Sequence, residues 1–259
     1  MIRTATVIAA LLGAAPALAS TSNVVETNGA QIRLVSAGVP AVDGSLEAVL
    51  EIALEPGWKT YWLDPGEAGV PPSLTLADTG DAVPLLMPAP VFVEEGGATL
   101  AGYDRSVRFV AKLADGGKPL EADVFIGICE KICVPVSGRL SLDPASDPDN
   151  ARDAAIVEEA KLALPGAPDA EFRADPQGFE NGTLRVNAVV PPDAGEAALF
   201  VASQGEWMFS QSAQVAVADR HAVFDVAAIS PADGVWPADG FLYVLVANGR
   251  AVEGRLSKP

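Results

Sequence analysis

The feature that most constrains this chain is a period-two alternation of apolar and polar residues, repeated in short runs and broken by Gly, Pro or Asp. Such alternation puts one face of a strand on a core and the other in water. In the first half the runs are Ile32–Val35, Leu46–Leu54, Leu74–Leu76, Val107–Leu113, Ala122–Ile128 and Cys133–Leu142. In the second half they are Thr183–Val190, Ala197–Ala202, Val215–Val217, Ala222–Val226 and Phe241–Val246. Between the two sets, Ala151 to Leu164 lacks Gly and Pro and is rich in Ala, Glu and Leu. Asp149 or Asn150 can cap this stretch and Pro165 stops it, so it predicts a helix with Ile156, Val157, Ala160 and Leu164 as its buried stripe. Strands do not alternate with helices, which disfavours a parallel α/β sheet. The expectation is an all-β chain: two immunoglobulin-like β-sandwich domains joined by a short helix. Boundaries follow at 20–145 for the first sandwich, 146–170 for the helical linker and 171–259 for the second.

Residues 1–19, MIRTATVIAALLGAAPALA, have the form of a cleavable export signal. Arg3 precedes a short apolar run, and Ala17-Leu18-Ala19 supplies small residues at the cleavage position. The run is too short to span a membrane, which takes about 20 apolar residues. The expected location is the periplasm, with no direct membrane insertion. Disulfides persist in that compartment.

Charge and rare residues narrow the chemistry. A formal net charge of −17 opposes binding to nucleic acid or to an anionic membrane surface. One histidine, His221, excludes any site needing two, and the turn-like Ala218-Asp219-Arg220-His221 makes it a solvated tip residue. Two cysteines, Cys129 and Cys133, exclude four-thiolate zinc and iron–sulfur sites within one chain. Asn181-Gly182-Thr183 reads as a turn before a strand. Asp143, Asp147 and Asp149 lack the Gly and Glu of a calcium loop and read as a solvated linker.

The two cysteines carry the chemistry. Four residues of extended strand span about 13 Å, whereas bridged cysteines need Cα atoms within about 7 Å. The chain must therefore turn across Glu130-Lys131-Ile132 if the sulfurs are to pair. A loop this short gains little from closure, roughly 2 kcal/mol, and a domain of this size can bury enough apolar surface without a staple. A local dithiol also suits reversible exchange, in which one sulfur attacks a partner and its neighbour resolves the mixed disulfide. Lys131 favours a thiolate and Glu130 opposes it. On spacing and compartment, a structural clip and a redox pair both remain open. The aromatic group Trp58, Tyr61 and Trp62 reads by default as packing.

Three segments together carry a family resemblance. They are Pro56-Gly57-Trp58-Lys59-Thr60-Tyr61-Trp62, Asp64-Pro65-Gly66-Glu67-Ala68-Gly69-Val70-Pro71-Pro72 and Gly127-Ile128-Cys129-Glu130-Lys131-Ile132-Cys133-Val134-Pro135. With Ala101-Gly102-Tyr103-Asp104, they resemble the periplasmic N-terminal region of the disulfide reductase DsbD, nearest its ScsB branch, which is associated with suppression of copper sensitivity. The resemblance covers residues ~22–145 and favours the redox reading. It implies a sandwich whose cysteine pair takes electrons from a membrane-embedded donor and passes them to periplasmic thioredoxin-fold proteins, with no cofactor. It implies that Cys133 forms the mixed disulfides and that Cys129 resolves them. It further implies a shielding loop over Val93 to Tyr103, including Glu94, Glu95, Gly96, Gly97 and Tyr103, with Trp58 and Tyr61 lining the site. The 259 residues hold no multi-helix membrane segment and no thioredoxin-like segment. The donor is therefore expected to be a separate protein, and the cysteine spacing is shorter than in the best-known members. Two other readings accompany this one: a non-enzymatic adaptor or chaperone with a passive disulfide, and Cu(I) handling by the two thiolates.

Overall fold

A computed structural model of the chain describes residues 20–66, 69–95, 97–114, 116–203, 206–210, 215–229 and 235–258. The export signal at 1–19 and Gly96 lie outside the described residues. The first half supplies β1 (Val25–Thr27), β2 (Ala30–Ser36), β3 (Leu46–Leu54), β4 (Lys59–Tyr61), β5 (Ser73–Leu76), β6 (Leu85–Leu86), β7 (Val91–Glu95), β8 (Ala98–Tyr103), β9 (Val107–Leu113), β10 (Leu120–Cys129) and β11 (Cys133–Leu142). Helix α1 (Ala151–Leu162) follows. The second half supplies β12 (Arg173–Glu180), β13 (Thr183–Val189), β14 (Glu196–Val201), β15 (Met208–Phe209), β16 (Val215–Ala216), β17 (His221–Ile229), β18 (Phe241–Ala247) and β19 (Arg250–Leu256).

The strands form four antiparallel sheets, ordered β1-β2-β3-β9-β6, β11-β10-β4-β8-β7 with β5 also on β10, β12-β13-β17-β15, and β16-β14-β18-β19. Alternation explains how the first two close on each other. Ile32 and Leu34 of β2, Leu50 and Ile52 of β3 and Phe109 of β9 meet Val124, Ile126 and Ile128 of β10 in one buried core. The third and fourth sheets do the same through Leu184, Val186 and Phe224 against Leu199, Tyr243 and Leu245. The chain is thus all-β, built as sandwiches, with one helix among the described residues. No helix there is long and apolar enough to cross a membrane.

Helix α1 starts where Asn150 accepts from the backbone N–H groups of Arg152 and Asp153, satisfying two donors that a helix start leaves open. It joins the two halves in sequence but packs on the outer face of the first sheet, where Ile156, Val157 and Ala160 meet Val35, Val49 and Val110. Leu164, one residue past the C-cap, packs against the same cluster. Glu51 accepts from Arg33 at 2.7 Å and from Arg108 at 2.8 Å, and Arg108 reaches Glu159 on the helix at 2.9 Å. Burial pushes the Glu51 carboxyl up, but the two guanidiniums outweigh it and hold the group below its ordinary range.

The sandwiches touch directly. On β14, Leu199 and Val201 enter the second core, while Ala198 and Phe200 on the opposite face, with Ala202 just past the strand, join the first. On β18, Tyr243 and Leu245 face inward and Leu242, Val244 and Val246 face the first sandwich. Phe200 lies against Trp62 (ring centroids 6.0 Å apart) and against Phe92 (4.6 Å). The backbone N–H of Ser203 donates to Asp64 at 2.6 Å. The central strands β14 and β18 of the fourth sheet are therefore covered on both faces, which is why they are almost continuously apolar.

Candidate functional site

The site lies at the tip of the β10–β11 hairpin. These strands pair over ten rungs, from Leu120↔Leu142 to Cys129↔Cys133. Glu130-Lys131-Ile132 closes the end, so the cysteines are directly opposed and their Cα atoms stand 4.2 Å apart. Cross-strand neighbours that do not exchange backbone hydrogen bonds approach to about 4.5 Å, so the register itself brings the sulfurs together. They form a disulfide.

The pair is asymmetric. Even-numbered Ile126 and Ile128 face the core, so Gly127 and Cys129 face the other side of the sheet. Cys129 is nevertheless completely buried, in a small cluster with Tyr61, Val93 and Leu100, against which Ala98 also packs. Cys133 is exposed, as are its neighbours Ile132 (76%) and Val134 (40%). An attacking sulfur therefore meets Cys133 first, on an apolar rim.

Tyr61 is the central side chain. Its hydroxyl lies 2.7 Å from the Cys129 sulfur and 2.8 Å from the Cys133 sulfur. The ring lies over Gly127, where an added Cβ would come within 2.6 Å of it, so any larger residue there would displace the ring. Gly69 stands close on another side, its virtual Cβ at 3.1 Å from the ring. Below, Thr60 donates to the Gly127 carbonyl at 2.9 Å and ties β4 to β10.

The segment expected to be a shielding loop is a β-hairpin. β7 and β8 pair from Val91↔Gly102 to Glu95↔Ala98, with Gly97 at φ +88° in the turn. A loop is the wrong description because both strands satisfy each other's backbone groups. Val93 and Leu100, opposite one another, cover Cys129. Glu94 is exposed, and its carboxylate accepts from Thr99 at 2.6 Å. Its backbone carbonyl accepts from the Lys59 ammonium, also at 2.6 Å. Glu95 ends β7. Tyr103 belongs to the main core, where its ring meets Phe109 and its hydroxyl donates to the Pro88 carbonyl at 2.8 Å. Burial raises the Tyr103 phenol well above its ordinary range, and Glu253 adds to the effect. Trp58 also packs on the main core, its indole filling the place where a Cβ on Gly29 would stand.

Val93 and Leu100 lie within the expected shielding segment Val93–Tyr103, whereas Gly127 was not expected to shape the site. The signal was present: Gly127 interrupts an otherwise bulky strand, which marks a close approach. Among the described residues, no three or more His, Cys, Asp or Glu side chains gather as a metal site. Lys131 and Glu130 pair loosely at 3.9 Å in solvent, where such a pair contributes little.

A β-sandwich carrying a disulfide across the last rung of a hairpin, one sulfur sealed and one open, has the form that thiol–disulfide exchange requires. Comparison makes this specific. Residues 33–145 match the family described as "Thiol:disulfide interchange protein DsbD, N-terminal". No curated protein matches the chain. Among solved structures, it is similar to the crystal structure of the N-terminal periplasmic domain of ScsB from Proteus mirabilis. That match has a TM-score of 0.75 and 20% identity, covering 93% of this chain and all of the other.

Proposed function

We propose that the chain is a periplasmic thiol–disulfide exchange protein that relays electrons from a membrane-embedded donor to thioredoxin-fold clients. The observation that carries this reading is the asymmetry of the pair: Cys129 sealed under Tyr61, Val93 and Leu100, and Cys133 open beside Ile132 and Val134.

In the reduced protein the Cys133 thiolate attacks a client disulfide. A Cys133–client bond forms, the client's own S–S bond breaks, and the departing client sulfur takes a proton. The Cys129 thiolate then attacks the Cys133 sulfur, closing the Cys129–Cys133 disulfide and releasing the client's second sulfur as a thiol. Two electrons have passed to the client. Recharging runs in reverse: a donor thiolate attacks exposed Cys133 and Cys129 leaves as a thiolate. Tyr61 suits that moment, because its O–H can donate to the departing sulfur, and hydrogen bonds to charged groups are the strong ones.

A partner reaching Cys133 must cover Ile132 and Val134, so the clients expected are those with an apolar rim around their own reactive sulfur. The test is trapping in cells. A Cys129→Ser variant should accumulate covalent adducts that thiols release, and the Cys129→Ser/Cys133→Ala variant should accumulate none. Equal trapping by both variants refutes the reading. A reduction potential below about −300 mV would instead favour a passive clip, since structural disulfides lie in that range.

A further inference from the structure

The hairpin that covers Cys129 is held from two sides by adjacent residues of one strand. Val93 belongs to the cluster around Cys129, and Phe92, the residue before it, packs its ring on Phe200 of the second sandwich with centroids 4.6 Å apart. The hairpin's pairing to the rest of its sheet is confined to its base, where Gly102 and Tyr103 meet Tyr61 and Thr60 of β4. Two backbone bonds flank that base, from Trp62 to the Ala101 carbonyl at 3.1 Å and from Ala101 to the Pro65 carbonyl at 3.3 Å. β7 is an edge strand, and beyond Ala101 the ties are the Lys59 bond to the Glu94 carbonyl, the packing of Val93, Leu100 and Ala98 around Cys129 and Tyr61, and the Phe92–Phe200 contact. Beside the Phe92–Phe200 contact a cleft of about 620 Å³ separates β7 from the fourth sheet, lined by Val91, Phe92, Glu196, Ala198 and Phe200 among others. The second sandwich therefore grips this hairpin through ring packing, with open space alongside.

We propose that Phe92 and Phe200 are positioning residues for the disulfide. By fixing β7, the second sandwich sets how often the hairpin lifts from Cys129, and so how fast the bond can be attacked and resolved. This goes beyond the exchange reading because it gives the second sandwich a task at a site it does not touch. The physical basis is local opening: a segment held by few contacts opens with a free energy that falls when one contact is removed.

The test is the rate at which dithiothreitol reduces Cys129–Cys133 in the full chain, read by maleimide mass-tagging after rapid quench. Phe200→Ala and Phe92→Ala should each speed reduction by about fivefold, the scale expected for losing the Phe92–Phe200 contact that both remove. Phe200→Tyr, which keeps the ring, should restore the wild-type rate. Leu184→Ala weakens the second core on its other sheet and should leave the rate within about twofold. Val93→Ala, which thins the cover itself, should speed reduction. Wild-type rates in Phe200→Ala and Phe92→Ala, or equal acceleration by Leu184→Ala, overturn the proposal. If Val93→Ala is fast while both phenylalanine variants match wild type, the coupling fails and the cover stands. If Val93→Ala also matches wild type, the hairpin is not a cover and both ideas fall. None of these outcomes depends on which client the protein serves.

Discussion

Two long hairpins, β10–β11 in the first sandwich and β18–β19 in the second, solve the same backbone problem with opposite tips. β18–β19 turns on Asn248-Gly249, with φ values of +49° and +70°. Residues of this kind tolerate positive φ and match the strand twist, and the tip is polar. The β12–β13 hairpin ends the same way on Asn181-Gly182, and the turn from β16 into β17, closed by the single bridge Ala218↔His221, uses Asp219-Arg220, all four residues at positive φ. The β10–β11 tip has none of this chemistry. It closes through Glu130-Lys131-Ile132 with a disulfide at the last rung, and it leaves Ile132 and Val134 in solvent. A hairpin that only needs to turn carries turn residues. One that exposes apolar side chains beside a single open sulfur is shaped for a visitor, and its chemistry resides where local turn preference has been given up.

Each way of testing this contrast changes one tip and leaves the other as a control. The largest effect is expected from Cys133→Ala, which should drop exchange with a disulfide substrate to the uncatalysed background while urea unfolding still shows a cooperative transition. Next is Tyr61→Phe. Losing a hydrogen bond to the departing thiolate should slow reduction of the disulfide by a dithiol about tenfold, read from the loss of the oxidised form over time. Gly249→Ala acts on the other tip. Nothing lies within 4 Å of a Cβ there, so only the positive φ opposes it. It should cost about 1 kcal/mol by urea unfolding and leave exchange unchanged. The smallest effect on stability belongs to Ile132→Ser, within about 0.5 kcal/mol because the side chain is exposed. It should weaken exchange with a protein partner a few-fold but not with dithiothreitol.

Much of this was legible beforehand, where one physical rule acts alone. Leu46–Leu54 and Cys133–Leu142 form strands with the expected bounds. Asn150 caps the helix as its side chain allows, and the helix ends at Leu162, two residues before the last member of its apolar stripe. His221 opens β17 and is exposed next to its turn. The rest depends on contacts between distant segments. Val91-Phe92-Val93 is apolar throughout, so period two could not reveal that Phe92 faces the second sandwich and Val93 faces the sulfur. Ala198–Ala202 and Phe241–Ala247 are unbroken apolar runs rather than the alternating strands expected, because one face joins the second core and the other meets the first sandwich. Tyr61 and Trp62 are adjacent in sequence and point to opposite sides of β4, one to the disulfide and one to the core. Only the register of β4 on β10, Ile128↔Thr60 and Cys129↔Lys59, tells them apart.

The central claim is that the two sulfurs are unequal, one open to partners and one sealed. The most direct measurement is competitive alkylation of the reduced protein with iodoacetamide, followed by peptide mass spectrometry to count label at each cysteine over time. The account predicts that Cys133 is labelled well before Cys129, and that Val93→Ala narrows the gap. Equal labelling of the two, or Cys129 ahead of Cys133, would contradict it.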